Sequence, residues 1–479
     1  MKQELVELGI GKSSLGKAEL EARYHEIRRL YLDDKRPWVI GYSGGKDSTT
    51  ALQVIWCALS ALPRNQLHKP IYILSSDTLV ETPKIVEYID VSLRRMNETA
   101  KRDLLPFSAH KVKPELNDSF WVNLIGRGYP TPSKQFRWCT ERLKIDPANK
   151  FILDKVAEYG EVIMVLGVRR DESSTRAQVM SLHRIKGSLL SRHTTLANAY
   201  VYTPIEGFSL SDVWNYLLQV PSPWGNNNRD LVTLYRNAQG GECPLVVDKS
   251  TPSCGNSRFG CWVCTVVNKD SSMEAMIDNG ETWLEPFLEY RDFLASTQDP
   301  KLRSQLRKYK RRNGQVVQID GIPQPFGPYN LEARKDLLRK LLKVQKTVGQ
   351  RGPNADGMLI SKDELEMIRS LWRLEEQDWE DSVPKIYREM IGEDLEWISY
   401  EIPAFSVEEK ITLENICAKH SIPVAIVQKL LEVERTLHGM SRRSSVQQKL
   451  AAALDEDPRS EQEIDEKAVR VIAATAGAE

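Results

Sequence analysis

Four short apolar runs, Pro37–Tyr42, Ile71–Leu74, the weaker Phe107–Val112 and Val162–Gly167, are separated by stretches long enough to hold whole helices. Strands spaced this way cannot pair as hairpins. They form a parallel sheet with helices on both faces, and such sheets bind ligands beyond the carboxyl ends of their strands. The intervening patterns agree: apolar residues recur at helical spacing from about Lys17 (Leu20, Tyr24, Ile27, Tyr31), from Thr49 to Leu62 (Leu52, Ile55, Trp56, Leu59), from Thr82-Pro83 to about Met96, and from Asp146-Pro147 to Gly160. Residues that follow the strands are therefore the first to inspect for chemistry.

The first strand breaks into Ser43-Gly44-Gly45-Lys46-Asp47-Ser48. Two glycines without Cβ let an anion approach the backbone N–H groups, the serines offer hydroxyls, and the next helix points its positive end at the same place. An ordinary βα turn capped by Asp47 or Ser48 is the plainer alternative. No Walker A pattern G-x-x-x-x-G-K-[ST] occurs. Ser-Gly-Gly-Lys-Asp-Ser resembles the PP-loop of the ATP pyrophosphatase superfamily, which implies binding of the pyrophosphate of ATP, with its Mg2+, and attack at the α-phosphate.

The second strand runs into Asp77-Thr78, placed for the nucleoside of a nucleotide held by the first turn, or for a plain turn and cap. After the last strand come Arg169 and Arg170, whose guanidinium forks match phosphate oxygens, with surface pairing to Asp171 and Glu172 as the alternative. Cys139 lies in Arg137-Trp-Cys-Thr-Glu-Arg142-Leu-Lys144. Three cations around a thiol favour a lowered pKa and a reactive thiolate able to carry a persulfide; a packing cysteine is the alternative.

Seven cysteines is an odd number, which favours metal or reactive thiols over disulfides, and four of them crowd together as Cys243, Cys254, Cys261 and Cys264. The Cys-Trp-Val-Cys pair is a chelating arrangement, and four thiolates suit a 4Fe-4S cluster or, with two regular knuckles, structural zinc. The irregular spacing favours the cluster. Cys139 is expected to stand apart from this set, while Cys57 and Cys417 sit on helical faces and are expected in the core.

Five motifs occur in the order seen in the phosphoadenylylsulfate (PAPS) reductase family: Ser-Gly-Gly-Lys-Asp-Ser, Asp-Thr-x-x-Glu-Thr-Pro, Arg-Trp-Cys-Thr-x-x-Leu-Lys, Gly-Val-Arg-Arg-Asp-Glu-Ser, and Thr203-Pro-Ile followed by Asp212-Val-Trp214. The resemblance implies an adenine nucleotide α-hydrolase-like fold, with Ser43 to Ser48 on pyrophosphate and Arg169 and Arg170 near the reacting anions. Assimilatory reductases carry a C-terminal Glu-Cys-Gly-x-His motif that this chain lacks, so sulfate reduction is not expected. The pocket cysteine, four-cysteine insert and helical extension make the whole similar to the DndC sulfurtransferases of bacterial DNA phosphorothioation systems. That likeness implies DNA, a cysteine desulfurase and the other proteins of the phosphorothioation complex as partners. A tRNA or small-molecule thiolase and a non-catalytic nucleotide and redox sensor are the competing readings.

At 479 residues several domains are expected. They are a helical brace (1–35), a PP-loop domain (36–220), a cysteine-rich insert (221–272), a helical basic region (273–440) and a charged tail (441–479) that lacks a sustained apolar face. Net charge is zero, yet residues 301–350 hold 13 Lys/Arg against 3 Asp/Glu. Two dense stretches, Lys301–Arg312 and Arg334–Lys346, suit nucleic-acid backbone contacts, with a solvated helix face or an acidic partner as the alternative. No apolar run reaches the length of a membrane span and no secretory h-region opens the sequence, so a cytoplasmic, membrane-free protein is expected.

Overall fold

Strand β1 (Trp38–Gly41) is wholly buried and stands at the centre of a six-stranded sheet whose order is β3-β2-β1-β4-β6-β5. β2 (Ile71–Ser76), β3 (Phe107–Val112), β4 (Val162–Val165) and β6 (Ala199–Tyr202) run parallel to their neighbours, and the short β5 (Ser191–Arg192) closes the edge antiparallel to β6. Strands covered on both faces read as unbroken apolar runs, which is why these segments are visible in the sequence. The order reverses between β1 and β4, the position where open α/β sheets hold ligands. The architecture is a mostly parallel sheet with helices on both faces.

The computed structural model describes residues 15–172, 182–237, 260–351, 358–398, 407–437, 445–457 and 459–476. It divides into a first unit, 1–115 with 134–288, and a second, 116–133 with 289–479.

In the first unit, α1 (Lys17–Leu32), α2 (Lys46–Ser60), α3 (Pro83–Arg102) and α5 (Leu210–Gln219) join one core, while α4 (Asp146–Tyr159) packs on the opposite core with Tyr72, Leu74 and Met164. Trp56 of α2 stacks on Phe107 of β3 at 4.2 Å. α2 begins three residues before the expected Thr49, with Gly45 as its N-cap. Lys46, Asp47 and Ser48 therefore belong to the first helical turn. The chain before α4 is already helical: Trp138–Thr140 passes through a π-helical turn, Glu141–Ile145, and Asp146 makes no cap. Pro147 is tolerated there because first-turn N–H groups lack intrahelical acceptors. α6 (Asn228–Asn237) and α7 (Ser271–Asp278) complete the helices of this unit up to α8 (Glu285–Ser296).

The second unit has a hairpin of β7 (Val317–Ile319) and β8 (Ile322–Gln324), a long helix α9 (Leu331–Arg351), then α10 (Lys362–Glu375), α11 (Ser382–Ile391), α12 (Val407–His420), α13 (Val424–Leu437), α14 (Val446–Leu454) and α15 (Glu461–Ala476). Leu337, Leu338, Leu341 and Leu342 of α9 are buried. Residues 116–133 are interwoven with this unit: Trp121 donates to the carbonyl of Leu359 at 2.7 Å, and Trp372 to that of Ile125 at 2.9 Å. The charged tail holds helices α14 and α15. α15 docks through Ile464 and Ala468 against Tyr309, Val316 and Ile322, since two apolar residues one turn apart suffice to seat a helix on a short hairpin. No described helix is long and apolar enough to cross a membrane.

Candidate active site

The turn after β1 is shaped by its own hydroxyls. Ser43 and Ser48 Oγ lie 3.0 Å apart, the N–H of Ser43 donates to Ser48 Oγ at 3.2 Å, and that of Gly45 to Ser43 Oγ at 3.3 Å. Gly44 has φ +72°, and a Cβ there would stand 3.2 Å from the Tyr88 ring, so neither backbone nor space admits another residue comfortably. Asp47 is buried between two cations: Lys46 Nζ lies 2.7 Å from one carboxylate oxygen, and Arg169 Nε donates to the other at 2.6 Å. The close approach of β4 makes this possible. At Gly167 a Cβ would sit 2.7 Å from the backbone oxygen of Asp47, so only glycine lets the strand end reach α2.

The two arginines part company. Arg169 turns inward to Asp47, whereas Arg170 Nε pairs with Glu206 at 2.7 Å and its side chain stays 55% exposed. The turn after β1 supplies the Asp47 partner of Arg169, and the β6–α5 connection supplies the Glu206 partner of Arg170.

At the end of β2, Asp77 is buried, with Lys111 Nζ at 3.3 Å and Lys113 Nζ at 3.9 Å. Thr78 is fully buried, and its Oγ1 lies 3.3 Å from Sγ of Cys261. Glu81 forms a β-bridge with Cys261, and the N–H of Trp262 donates to the carbonyl of Val80 at 3.0 Å. Burial, and secondarily the charge of Asp77, push the Glu81 carboxyl up to about 7 against the opposing pull of Lys144 and Lys111. Glu81 and Lys111 are site neighbours that sequence reasoning left unassigned. Glu81 stood within a recognised motif; Lys111 gave no signal beyond ending a strand.

The thiols bring the main correction. Cys139 does not stand apart: Cys261 and Cys264 lie near enough for their charges to bear on it. Its pKa is not lowered. Burial first, and the two neighbouring thiols second, push it up to about 12, outweighing Lys144. Burial likewise raises Cys261. The N–H of Cys264 donates to the carbonyl of Cys261 at 3.1 Å, closing a tight turn anchored by buried Trp262, whose ring meets Phe287 edge-on at 4.7 Å. A small cleft beside the pair is lined by Thr82, Ile85, Met273 and Met276. Cys243 and Cys254 lie outside the described residues, and among the described residues no group of three or more His, Cys, Asp or Glu is disposed to hold a metal ion. The donor chemistry nevertheless fits one. Gathered, desolvated thiols resist ionisation, a penalty that a bound metal or cluster removes.

Residues 37–267 match the family model described as the phosphoadenosine phosphosulfate reductase domain. The chain carries a PAPS reductase-like domain. An uncharacterized protein of Methanocaldococcus jannaschii is 26% identical over 198 residues, which are 41% of this chain and 35% of that relative, so the chain spans about a third of its length. FMN adenylyltransferase of Candida glabrata, solved with FAD and inorganic pyrophosphate, is 14% identical with a TM-score of 0.26, over 45% of this chain and 63% of that one. The U34-tRNA thiolase NcsA of Methanococcus maripaludis, solved with its [4Fe-4S] cluster, is 12% identical with a TM-score of 0.28, over 46% and 74%. Likenesses this distant carry no weight for function.

Proposed function

We propose that this chain is an ATP pyrophosphatase that transfers sulfur to the DNA backbone, in the manner of the DndC sulfurtransferases. The observation that carries it is the contact of Thr78 with Cys261 at 3.3 Å, which ties the nucleotide edge of the sheet to the thiols. ATP chemistry and sulfur chemistry then share one edge.

Ser43, Gly44, Gly45 and Ser48 receive the phosphates with their Mg2+, and Asp77 and Thr78 face the nucleoside. A non-bridging oxygen of the DNA phosphate attacks the α-phosphorus of ATP; the bond to pyrophosphate breaks and pyrophosphate leaves. Sulfur supplied by a cysteine desulfurase, brought to the sulfide level by a thiol reductant, then attacks the DNA phosphorus. The bond to AMP breaks, and AMP carries away the original oxygen. Lys46 and Arg169 offset the growing charge, and Asp47 holds both cations in place until phosphate competes for them. Arg170 assists only after leaving Glu206. A 4Fe-4S cluster would be held by Cys261 and Cys264 with Cys243 and Cys254, and when bound it would supply iron–sulfide chemistry beside the nucleotide.

The test is incubation of the anaerobically purified protein with ATP labelled at the α-phosphate, desulfurase, cysteine and either DNA or tRNA, followed by nuclease digestion and mass spectrometry. AMP and pyrophosphate with phosphorothioate dinucleotides are expected. ADP and orthophosphate, or thiolated tRNA bases without DNA product, overturn the reading.

A further inference from the structure

Nine described glycines have positive φ, and the space around them sets one apart. At six of them an added Cβ would meet nothing within 4 Å, and at Gly128 and Gly314 it would meet the charged side chains of Arg334 and Glu456. At Gly44 it would meet an aromatic ring. Tyr88 Cε1 would stand 3.2 Å away and Ile89 Cγ1 3.3 Å, so two successive residues of α3 close over the glycine of the turn.

A lid at this place has a physical task. Glycine adopts φ of either sign at little cost, so its own chemistry does not keep Gly44 at +72°. The hydroxyl bonds of the turn hold Ser43, Gly45 and Ser48, which leaves Gly44 to be fixed by packing. The packing side is itself tied down. Ile89 is buried, and Ser92 Oγ donates to the carbonyl of Tyr88 at 2.7 Å while accepting from Asn226 Nδ2 at 2.6 Å. The Tyr88 hydroxyl lies close to that of Tyr42, the fully buried residue that leads into Ser43.

Backbone N–H groups grip an anion only when successive peptides point to one place, and a left-handed residue between them is what turns them there. Rotation at Gly44 would spread them apart. We infer that Tyr88 is a positioning residue for the phosphate turn: its ring holds Gly44 in the left-handed conformation, so that the N–H groups are aimed before the phosphates arrive. Tyr88 acts through the turn rather than on the ligand. The gain is preorganisation, since a turn already in its binding geometry loses less freedom on association. This rests on the phosphate reading of the turn.

The experiment compares the full-length wild type with Tyr88→Ala, Tyr88→Leu, Tyr88→Phe and the control Met96→Ala, a buried residue further along α3. Calorimetry gives Tm and the Kd values of ATP and inorganic tripolyphosphate. Removing the ring frees Gly44, so Tyr88→Ala weakens both ligands alike, by roughly 10-fold. Tyr88→Leu keeps more of the packing, stands in should the alanine variant not fold, and weakens both by roughly 3-fold. Tyr88→Phe keeps the ring and stays within about 2-fold of the wild type. Met96→Ala lowers Tm through the cavity it leaves, yet both Kd values hold. Unchanged binding in the folded Ala and Leu variants, a loss confined to one ligand, a loss in Tyr88→Phe as large as in Tyr88→Ala, or an equal loss in Met96→Ala overturns the inference while leaving the turn's role intact. A wild type that binds neither ligand overturns both.

Discussion

Two charged regions of the molecule use charge in opposite ways. Around the turn after β1, Lys46, Asp47 and Arg169 form a buried pair of contacts beside backbone N–H groups at the carboxyl end of the strand, where on the proposed reading an incoming phosphate competes for both cations. In the second unit several cations are committed to the fold. Arg334, 1% exposed, donates to the carbonyls of Tyr329 and Gly126 and pairs with Glu376 at 2.8 Å; Lys308 reaches the other oxygen of Glu376 at 2.5 Å. Arg307 donates to the carbonyls of Gly327 and Phe326 at 2.7 Å each, and Arg312 lies over the Tyr129 ring at 5.2 Å. A dense basic stretch is therefore not in itself a nucleic-acid surface. What matters is whether the partner of each cation is a structural acceptor or one that a ligand can replace.

The largest test of this contrast lies in the second unit. Glu376→Gln leaves Arg334 buried without its counter-charge and should cost about 3–5 kcal/mol of stability, read by denaturant unfolding, while ATP binding by folded protein is unchanged. Acid should act in the same direction. Burial alone would raise the Glu376 pKa, but Arg334 and Lys308 outweigh it and hold the carboxyl below its ordinary value. Its contribution is thus present above the unfolded-state pKa near 4.5 and lost as pH falls through the lower folded value, and the Gln variant should lose this part of the acid transition.

Asp47→Ala sharpens the other side. It frees Lys46 and Arg169 from the carboxylate that positions them, and should lower AMP release by about 10²–10³-fold, measured under saturating ATP. If Asp47 were as structural as Glu376, stability would fall and turnover per folded molecule would persist.

Gly167→Ala is next, at roughly 1–3 kcal/mol, because the added methyl meets the Asp47 backbone rather than a side chain that can move. Gly207→Ala, where a Cβ meets nothing within 4 Å, is the neutral control. Thermal unfolding of both checks the comparison.

The smallest effect concerns DNA. Arg307→Ala should change the logarithmic salt slope of DNA binding by well under 1, since its guanidinium serves backbone carbonyls rather than phosphates. Filter binding across a salt series measures it, and a change of about 1 would return the stretch to the nucleic-acid surface.

Much of the sheet was legible because it is local: apolar runs with strand length, glycines after β1 and helical spacing between strands each depend on neighbouring residues. Helix starts were less so. Gly45, not Asp47 or Ser48, caps α2, and Cys139 lies in a helical segment that no cap residue announces. The docking of the tail was not legible because Ile464 and Ala468 make too narrow a seam to register as a periodic face.

What the sequence determined by itself is the succession of the first four strands with the helices between them and the residue types carried by the turns that follow, since chain connectivity and side-chain type decide those. Tertiary structure alone decided which groups meet: Asp47 with Arg169 across 122 positions, Thr78 with Cys261 across 183, and Cys139 with the Cys-Trp-Val-Cys pair. The physical reason is that ion pairs and thiol pKa values depend on distance and desolvation in space, which sequence separation does not encode. Of the three cations read around Cys139 in the chain, Lys144 bears on it and is outweighed by burial and two thiols that only folding brought near.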